Sequence, residues 1–295
     1  MNRKMIIMLM ILINFYGYCY AEDSIKIGYM VCNSLKETEE RFQPLTNYLN
    51  KKLGKKFEAV YLNTYDIEDA FREKKIDFVH ANSVMYIILK KNYQAKLVVG
   101  EKRGPEGKNT IGTIIVRNES GIKNISDLKD KKFIFGPEFA PAGYLAVYDL
   151  LKRNGVDPEK DLAYYAIPSG SFKHEKVLYA VYYQAFDAGA APLEDLREAI
   201  ADKKFGPNDF RIIARSEMIS YCTLAARKEI EDALIKQVKD VMIGIKKEDT
   251  VEVENEHLSV LKRAWLDGFI EVNDKDYDLL REMAKRVNLT PYEGN

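Results

Sequence analysis

The sequence predicts an α/β protein of two lobes with a ligand cleft between them. Three patterns carry that expectation. Short apolar runs alternate with helical periodicities from Ser24 to Ala191, as in sheets covered by helices on both faces. The cluster Gly104-Pro105-Glu106-Gly107 interrupts the alternation, so the chain leaves one sheet there. Thr223–Ala226 then reads as a strand returning to the first series, which gives two units joined by two extended crossings without a linker.

Taken in order, Ser24–Val31 is a strand, and Phe42, Leu45, Leu49 and Leu53 recur at helical spacing up to Gly54, a C-terminal stop. Pro44 is expected within or near the first turn of that helix, where its missing N–H costs nothing. Phe57–Leu62 is strand-like, Ile67, Ala70 and Phe71 share a helix face, Phe78–His80 is a short strand, Val84–Leu89 is helical and Leu97–Gly100 is extended. The second series begins at Thr113–Val116. It continues with a strand at Lys131–Phe135, a helix at Tyr144–Arg153 closed by Gly155, a strand at Ala163–Ile167, a helix at Glu175–Tyr183 and a small-residue strand at Asp187–Ala191. Phe210–Ala214 runs back toward the first series. The remainder is read as helix, with one apolar stripe through Ile230, Leu234, Val241 and Ile245 and another through Tyr277, Leu280, Ala284 and Val287. Lobe one is thus expected over 25–112 and 212–295, and lobe two over 113–211.

Composition removes several function classes. The 295 residues carry 45 basic against 45 acidic side chains, which gives no support to a polyanion binder such as a nucleic-acid protein. Three cysteines make no disulfide scaffold, and no C-x-x-C or H-E-x-x-H spacing suggests a zinc site, so neither metal nor cofactor is expected.

Residues 1–21 read as a secretory signal peptide. Arg3 and Lys4 form a basic start, Met5–Ile13 is an apolar run too short to span a bilayer, and Cys19-Tyr20-Ala21 is a small-x-small cut ahead of Glu22. The alternative, a lipoprotein acylated at Cys19, places the bulky Tyr18 where a small residue is usual. The protein is therefore expected in the periplasm or another extracytoplasmic compartment. Removal of the leader takes away Arg3, Lys4 and no acidic residue, leaving 43 basic side chains against 45 acidic. The thiols left are Cys32 and Cys222, with pairing and two free thiols both open.

Four segments carry a family resemblance. They are Ile27-Gly28 with Phe42-Gln43-Pro44-Leu45-Thr46-Asn47-Tyr48-Leu49; Ile76-Asp77-Phe78 followed by Tyr86; Asp127–Phe133 with Phe135-Gly136, Gly143-Tyr144-Leu145 and Gly155-Val156-Asp157-Pro158; and His174-Glu175-Lys176-Val177 with Ala180-Val181 and Asp187-Ala188-Gly189-Ala190. In this order they resemble the phosphonate-binding (phosphate/phosphite/phosphonate) solute-binding components of ABC importers. The resemblance implies a type II periplasmic-binding-protein fold, a small-molecule ligand, and an ABC permease or a sensor protein as partner. It spans about Ile25 to Ala226.

In open α/β sheets ligands sit beyond the carboxyl ends of the strands. That rule points to the loops after Val31, Leu62, His80 and Phe135. The family grips its oxyanion with an S-T-S-G loop, and here the stretch reads Ala140-Pro141-Ala142-Gly143, with Glu138 adding negative charge. Each hydrogen bond lost to a charged group is worth roughly 1.5–3 kcal/mol, so two or three missing hydroxyls weaken phosphonate binding by several orders of magnitude. Where relatives carry Asp-Tyr, this chain has Asn63-Thr64 with Tyr65 one position late, and Asn82-Ser83 replaces a Gly-Pro or Gly-Asn pair. His174 matches the family's ligand-contacting histidine. Phe139, Tyr65, Tyr86 and Tyr144 give the expected cleft an aromatic character, which suits an organic ligand better than a bare oxyanion. The expected ligand-binding set is therefore Thr64, Tyr65, Asn82, Ser83, Tyr86, Phe139, Ala142, Gly143, Tyr144 and His174. His80 reads as a packed histidine, and His257 and Trp265 lie in the tail with nothing tying them to the site.

The function expected is capture of a small polar or anionic organic solute for an ABC importer, by a monomer that is not an enzyme and not a high-affinity binder of simple phosphonates. A ligand-sensing subunit for a sensor kinase or chemoreceptor is the alternative. An enzyme using Cys32 as nucleophile is the third, and no histidine is spaced to identify its base.

Overall fold

The computed structural model describes residues 24–32, 34–168 and 174–293. The signal peptide expected over 1–21, its cut before Glu22 and the alternative lipid at Cys19 lie outside the described residues. No helix among the described residues is long and apolar enough to cross a membrane.

The first unit opens with β1 (Ile25–Met30), α1 (Leu35–Leu53), β2 (Phe57–Leu62), α2 (Ile67–Arg72), β3 (Phe78–Ala81), α3 (Ser83–Tyr93) and β4 (Lys96–Lys102). The second contains β5 (Asn109–Arg117), β6 (Lys132–Ile134), a π-helical turn (Pro141–Leu145) leading into α4 (Ala146–Arg153), α5 (Pro158–Asp161), β7 (Tyr164–Ala166), α6 (Glu175–Tyr182), β8 (Ala188–Pro192), α7 (Leu193–Ala201) and β9 (Phe210–Ser220). The chain then returns with β10 (Thr223–Ala226), α8 (Asp232–Ile243), β11 (Thr250–Val253), β12 (Glu256–Ser259), α9 (Val260–Ala264), β13 (Gly268–Ile270) and α10 (Asp278–Arg286).

Two sheets result, ordered β13-β4-β10-β3-β1-β2 and β7-β6-β8-β5-β9. Each has three parallel strands, β2-β1-β3 or β7-β6-β8, followed by antiparallel partners. Helices cover both faces of both sheets, and apolar cores fill the layers between.

The structure departs from the sequence reading in three places. The expected limits at 112/113 and 211/212 fall inside β5 and β9, since Thr110 pairs with Ile219 and both strands belong to the second sheet. The crossings are therefore 103–108 and 221–222. Pro44 lies deep inside α1, because Ser34 caps the helix at Glu37 well ahead of the apolar stripe that begins at Phe42. The tail holds three strands besides helices. Glu254 and Asn255, both at positive φ, close the β11–β12 hairpin, and β13 adds an edge strand beside β4.

The last helix joins the two units. At its start Tyr277 packs on Tyr86 of α3, ring centroids 4.6 Å apart, and Tyr86 Oη donates to Asp274 at 2.6 Å. At its end Arg286 grips the fully buried Asp149 of α4 with Nε and Nη2 at 2.6 and 3.0 Å. Arg153 Nε approaches the same carboxylate at 3.0 Å and links on to Glu217 of β9.

Candidate functional site

A cleft of about 800 Å³ opens between the sheets, at the carboxyl ends of the parallel strands as the topology requires. Lobe one contributes Cys32 after β1, Arg41 of α1, Thr64 after β2, His80 and Asn82 around the end of β3, Glu101 of β4 and Trp265 after α9. The second unit contributes 137–142, His174 and the first turns of α7, and the crossings supply Arg103, Tyr221 and Cys222.

The charges on the walls are mostly spoken for. His80 Nε2 lies 2.7 Å from Glu101 Oε1, both residues buried. Burial alone would push the Glu101 carboxyl upward, but His80, Arg41 and Arg103 together hold it below the usual carboxylate range. Arg103 Nη1 donates to Tyr221 Oη at 2.8 Å, and Nη2 pairs with Glu198 and lies 3.8 Å from Asp195, which ties α7 to the first crossing. Arg41 differs. Its guanidinium carbon stands 4.8 Å from the Phe42 ring centroid and 4.4 Å from that of Trp265, and its Nη2 donates to the Ala264 carbonyl at 2.9 Å.

The segment after β6 is folded tightly on itself. Gly136 N donates to Gly143 O at 2.7 Å, while Tyr144 N and Leu145 N both donate to Ala140 O at 3.1 Å. No side-chain hydroxyl is present over 140–143, so this segment itself offers an anion only backbone donors. The imidazole of His174 fills the notch left by two glycines: a β-carbon at Gly136 would lie 2.7 Å from its Cε1, and one at Gly143 would be 2.6 Å from its Nδ1. Burial in that notch lowers the His174 pKa below its ordinary 6.5, so the ring is neutral at pH 7 and brings hydrogen-bonding atoms but no charge. The unfolded chain binds this proton first as the pH falls. Stability from the neutral ring is complete above the unfolded value of about 6.5 and drains away as the pH falls below it, so melting temperature should drop on acidification below about pH 6.5, with a flatter profile in His174→Asn. An unchanged profile in the variant would remove His174 as the cause.

The expected site residues divide. Thr64, Asn82, Phe139, Ala142 and His174 line the cleft. Asn82 is already engaged, accepting from Met85 N at 2.9 Å and donating to the Phe139 carbonyl at 3.0 Å across the two units. Tyr65 stands exposed at the rim, its Oη donating to Glu138 at 3.1 Å and its ring meeting Phe139 edge-on at 5.6 Å. Gly143 backs His174. The other three are packing residues rather than cleft aromatics or donors: Ser83 Oγ donates to Ser220 O at 2.7 Å, Tyr86 is buried against Tyr277, and Tyr144 meets Phe135 edge-on at 5.4 Å. They belong to helix faces buried in the core, where a donor or ring finds a local partner before any ligand.

Trp265, read as unconnected to the site, lies in its wall, and Arg41, Glu101, Arg103 and Tyr221 were not singled out at all. Cys32 and Cys222 are both free thiols opening on the cleft. The surrounding walls desolvate Cys32 and push its thiol up to about 11, which keeps it protonated and a poor nucleophile at neutral pH. Among the described residues no group of His, Cys, Asp and Glu is arranged to hold a metal.

Comparison with known proteins adds to this geometry. Residues 27–277 match the family described as ABC transporter, phosphonate, periplasmic substrate-binding protein. A probable ABC transporter phosphite binding protein, PhnD1 of Prochlorococcus marinus (strain MIT 9301), is 20% identical over 273 residues, 90% of each chain. The structure of PhnD1 in complex with methylphosphonate aligns at a TM-score of 0.75 and 19% identity, covering 90% of this chain and 98% of the other. XAC2383 from Xanthomonas citri bound to ATP aligns at 0.73 and 18%, covering 90% and 97%.

Proposed function

Because the chain belongs to the phosphonate family of periplasmic substrate-binding proteins of ABC transporters, with their type II fold, we propose that it captures a polar or anionic organic solute larger than a simple phosphonate. Members of this family bind a small molecule and deliver it to a permease, and the matched relatives are transport proteins rather than enzymes. The observation that carries the specificity is the pairing of an 800 Å³ cleft with a hydroxyl-free segment at 140–143. An oxyanion of a few atoms would leave most of that volume to water and find no side-chain donor on the segment. Ligand size is not set by the fold, since the two structures above carry methylphosphonate and ATP. Export through residues 1–21, a mature chain beginning at Glu22 and a monomeric state belong to the same proposal.

Calorimetric titration of the purified protein with phosphate, phosphite and methylphosphonate is expected to give dissociation constants of about micromolar or weaker. Nanomolar binding of any one of them would show that backbone donors suffice, and would overturn the specificity reading while leaving the family untouched.

A further inference from the structure

Arg41 is a cation of this cleft whose charge no carboxylate among the described residues answers. Among the described residues it forms no ion pair with a carboxylate, whereas Arg103 is enclosed by Glu198, Asp195 and Tyr221. Glu101, which feels its field, is committed to His80. The guanidinium is nevertheless fixed. Phe42 and Trp265 face it at 4.8 and 4.4 Å, the Ala264 carbonyl holds Nη2, and Nε is buried with no acceptor among the described residues. Nη1 has no acceptor among the described residues. A planar fork held by two rings and a carbonyl has little rotamer freedom still to lose, so an arriving acceptor meets it already oriented. An arginine short of partners in a partly desolvated wall is also poorly compensated, and an anion supplied by a ligand would relieve that cost.

We propose that Arg41 is the anion anchor of the cleft, taking a carboxylate or phosphoryl group of an organic anion whose apolar body lies along Trp265 toward Phe139. This deepens the solute-capture reading and rests on it. It also moves the anion-binding locus from the family's lobe-two loop, which here has no hydroxyls, to the first helix of lobe one.

Four probes with one ring and different heads test it: phenylphosphonate, benzoate, benzylamine and benzyl alcohol, followed by calorimetry and thermal shift. Phenylphosphonate, benzoate or both should bind the wild type, and the amine and alcohol should not. Which of the two anions binds more tightly identifies the preferred head group. Arg41→Gln should weaken the anions by about tenfold or more, and Arg41→Lys should fall between, keeping the charge but losing the fork. Circular dichroism and the ligand-free melting temperature of each variant separate lost binding from lost fold. Anion affinities unchanged in a folded Arg41→Gln, or no anion binding up to about 10 mM, would overturn the anchor. A response to benzylamine alone would overturn it while preserving solute capture. Nanomolar methylphosphonate binding that survives Arg41→Gln would defeat the size reading as well.

Discussion

Replacing Asp149 with alanine should cost the folded protein about 3 kcal/mol, seen as a fall in melting temperature of roughly 6–12 °C. The carboxylate is fully buried and receives two bonds from Arg286 and one contact from Arg153. Its removal leaves two guanidinium groups facing each other across a small void. Both arginines are more than a third exposed, so water screens part of their repulsion and holds the estimate at the low end for a broken buried pair. The matched variant Arg286→Ala should cost less, since Asp149 keeps Arg153. Equal, small losses below about 0.5 kcal/mol in both would show that the cluster contributes nothing net.

Gly112→Ala should be of similar size for a different reason. A β-carbon there would sit 2.5 Å from the Ala142 carbonyl oxygen and 3.0 Å from Val147 Cγ2. The nearer obstacle is backbone, which cannot rotate aside, and Gly112 N is held by Ser216 Oγ at 2.9 Å where the register of β5 and β9 shifts. The expected loss is about 2–3 kcal/mol. Because the displaced carbonyl belongs to the segment that backs the cleft, ligand affinity should fall with stability. A variant as stable as the wild type within about 0.5 kcal/mol would mean that the segment yields freely, and that it is not a rigid wall.

The framework was legible because its signals are local. Each parallel strand is a short apolar run, and each following helix shows its own stripe, as in Leu45, Leu49 and Leu53. The β11–β12 hairpin was missed because a search for a 3.6 period passes over Thr-Val-Glu-Val and Glu-His-Leu-Ser, whose alternation has period 2. Tyr86 was placed in the cleft because α3 is buried on nearly every side, so no polar face reveals which way a ring on it points. The cleft's electrostatics were hidden for a deeper reason. Arg41 meets the carbonyl of Ala264, 223 positions away, and Arg103 meets Tyr221 at a separation of 118. A charged residue on an amphipathic helix looks solvated until the distant segment that covers it is known. A hint was available in Trp265, the single tryptophan of the sequence, which adjoins the apolar Val260, Leu261, Ala264 and Leu266 and so a buried surface.

The helix over 278–286 changes what kind of joint this protein has. Two extended strands alone would make a clamshell, free to swing wide about the line through them. A third attachment, anchored on Tyr86 at one end and on Asp149 at the other, bridges the two jaws and acts as a stay. Wide opening would then have to strain or release one of those anchors. The rest position of the jaws is then set by a side chain remote from the cargo, at the far end of the chain.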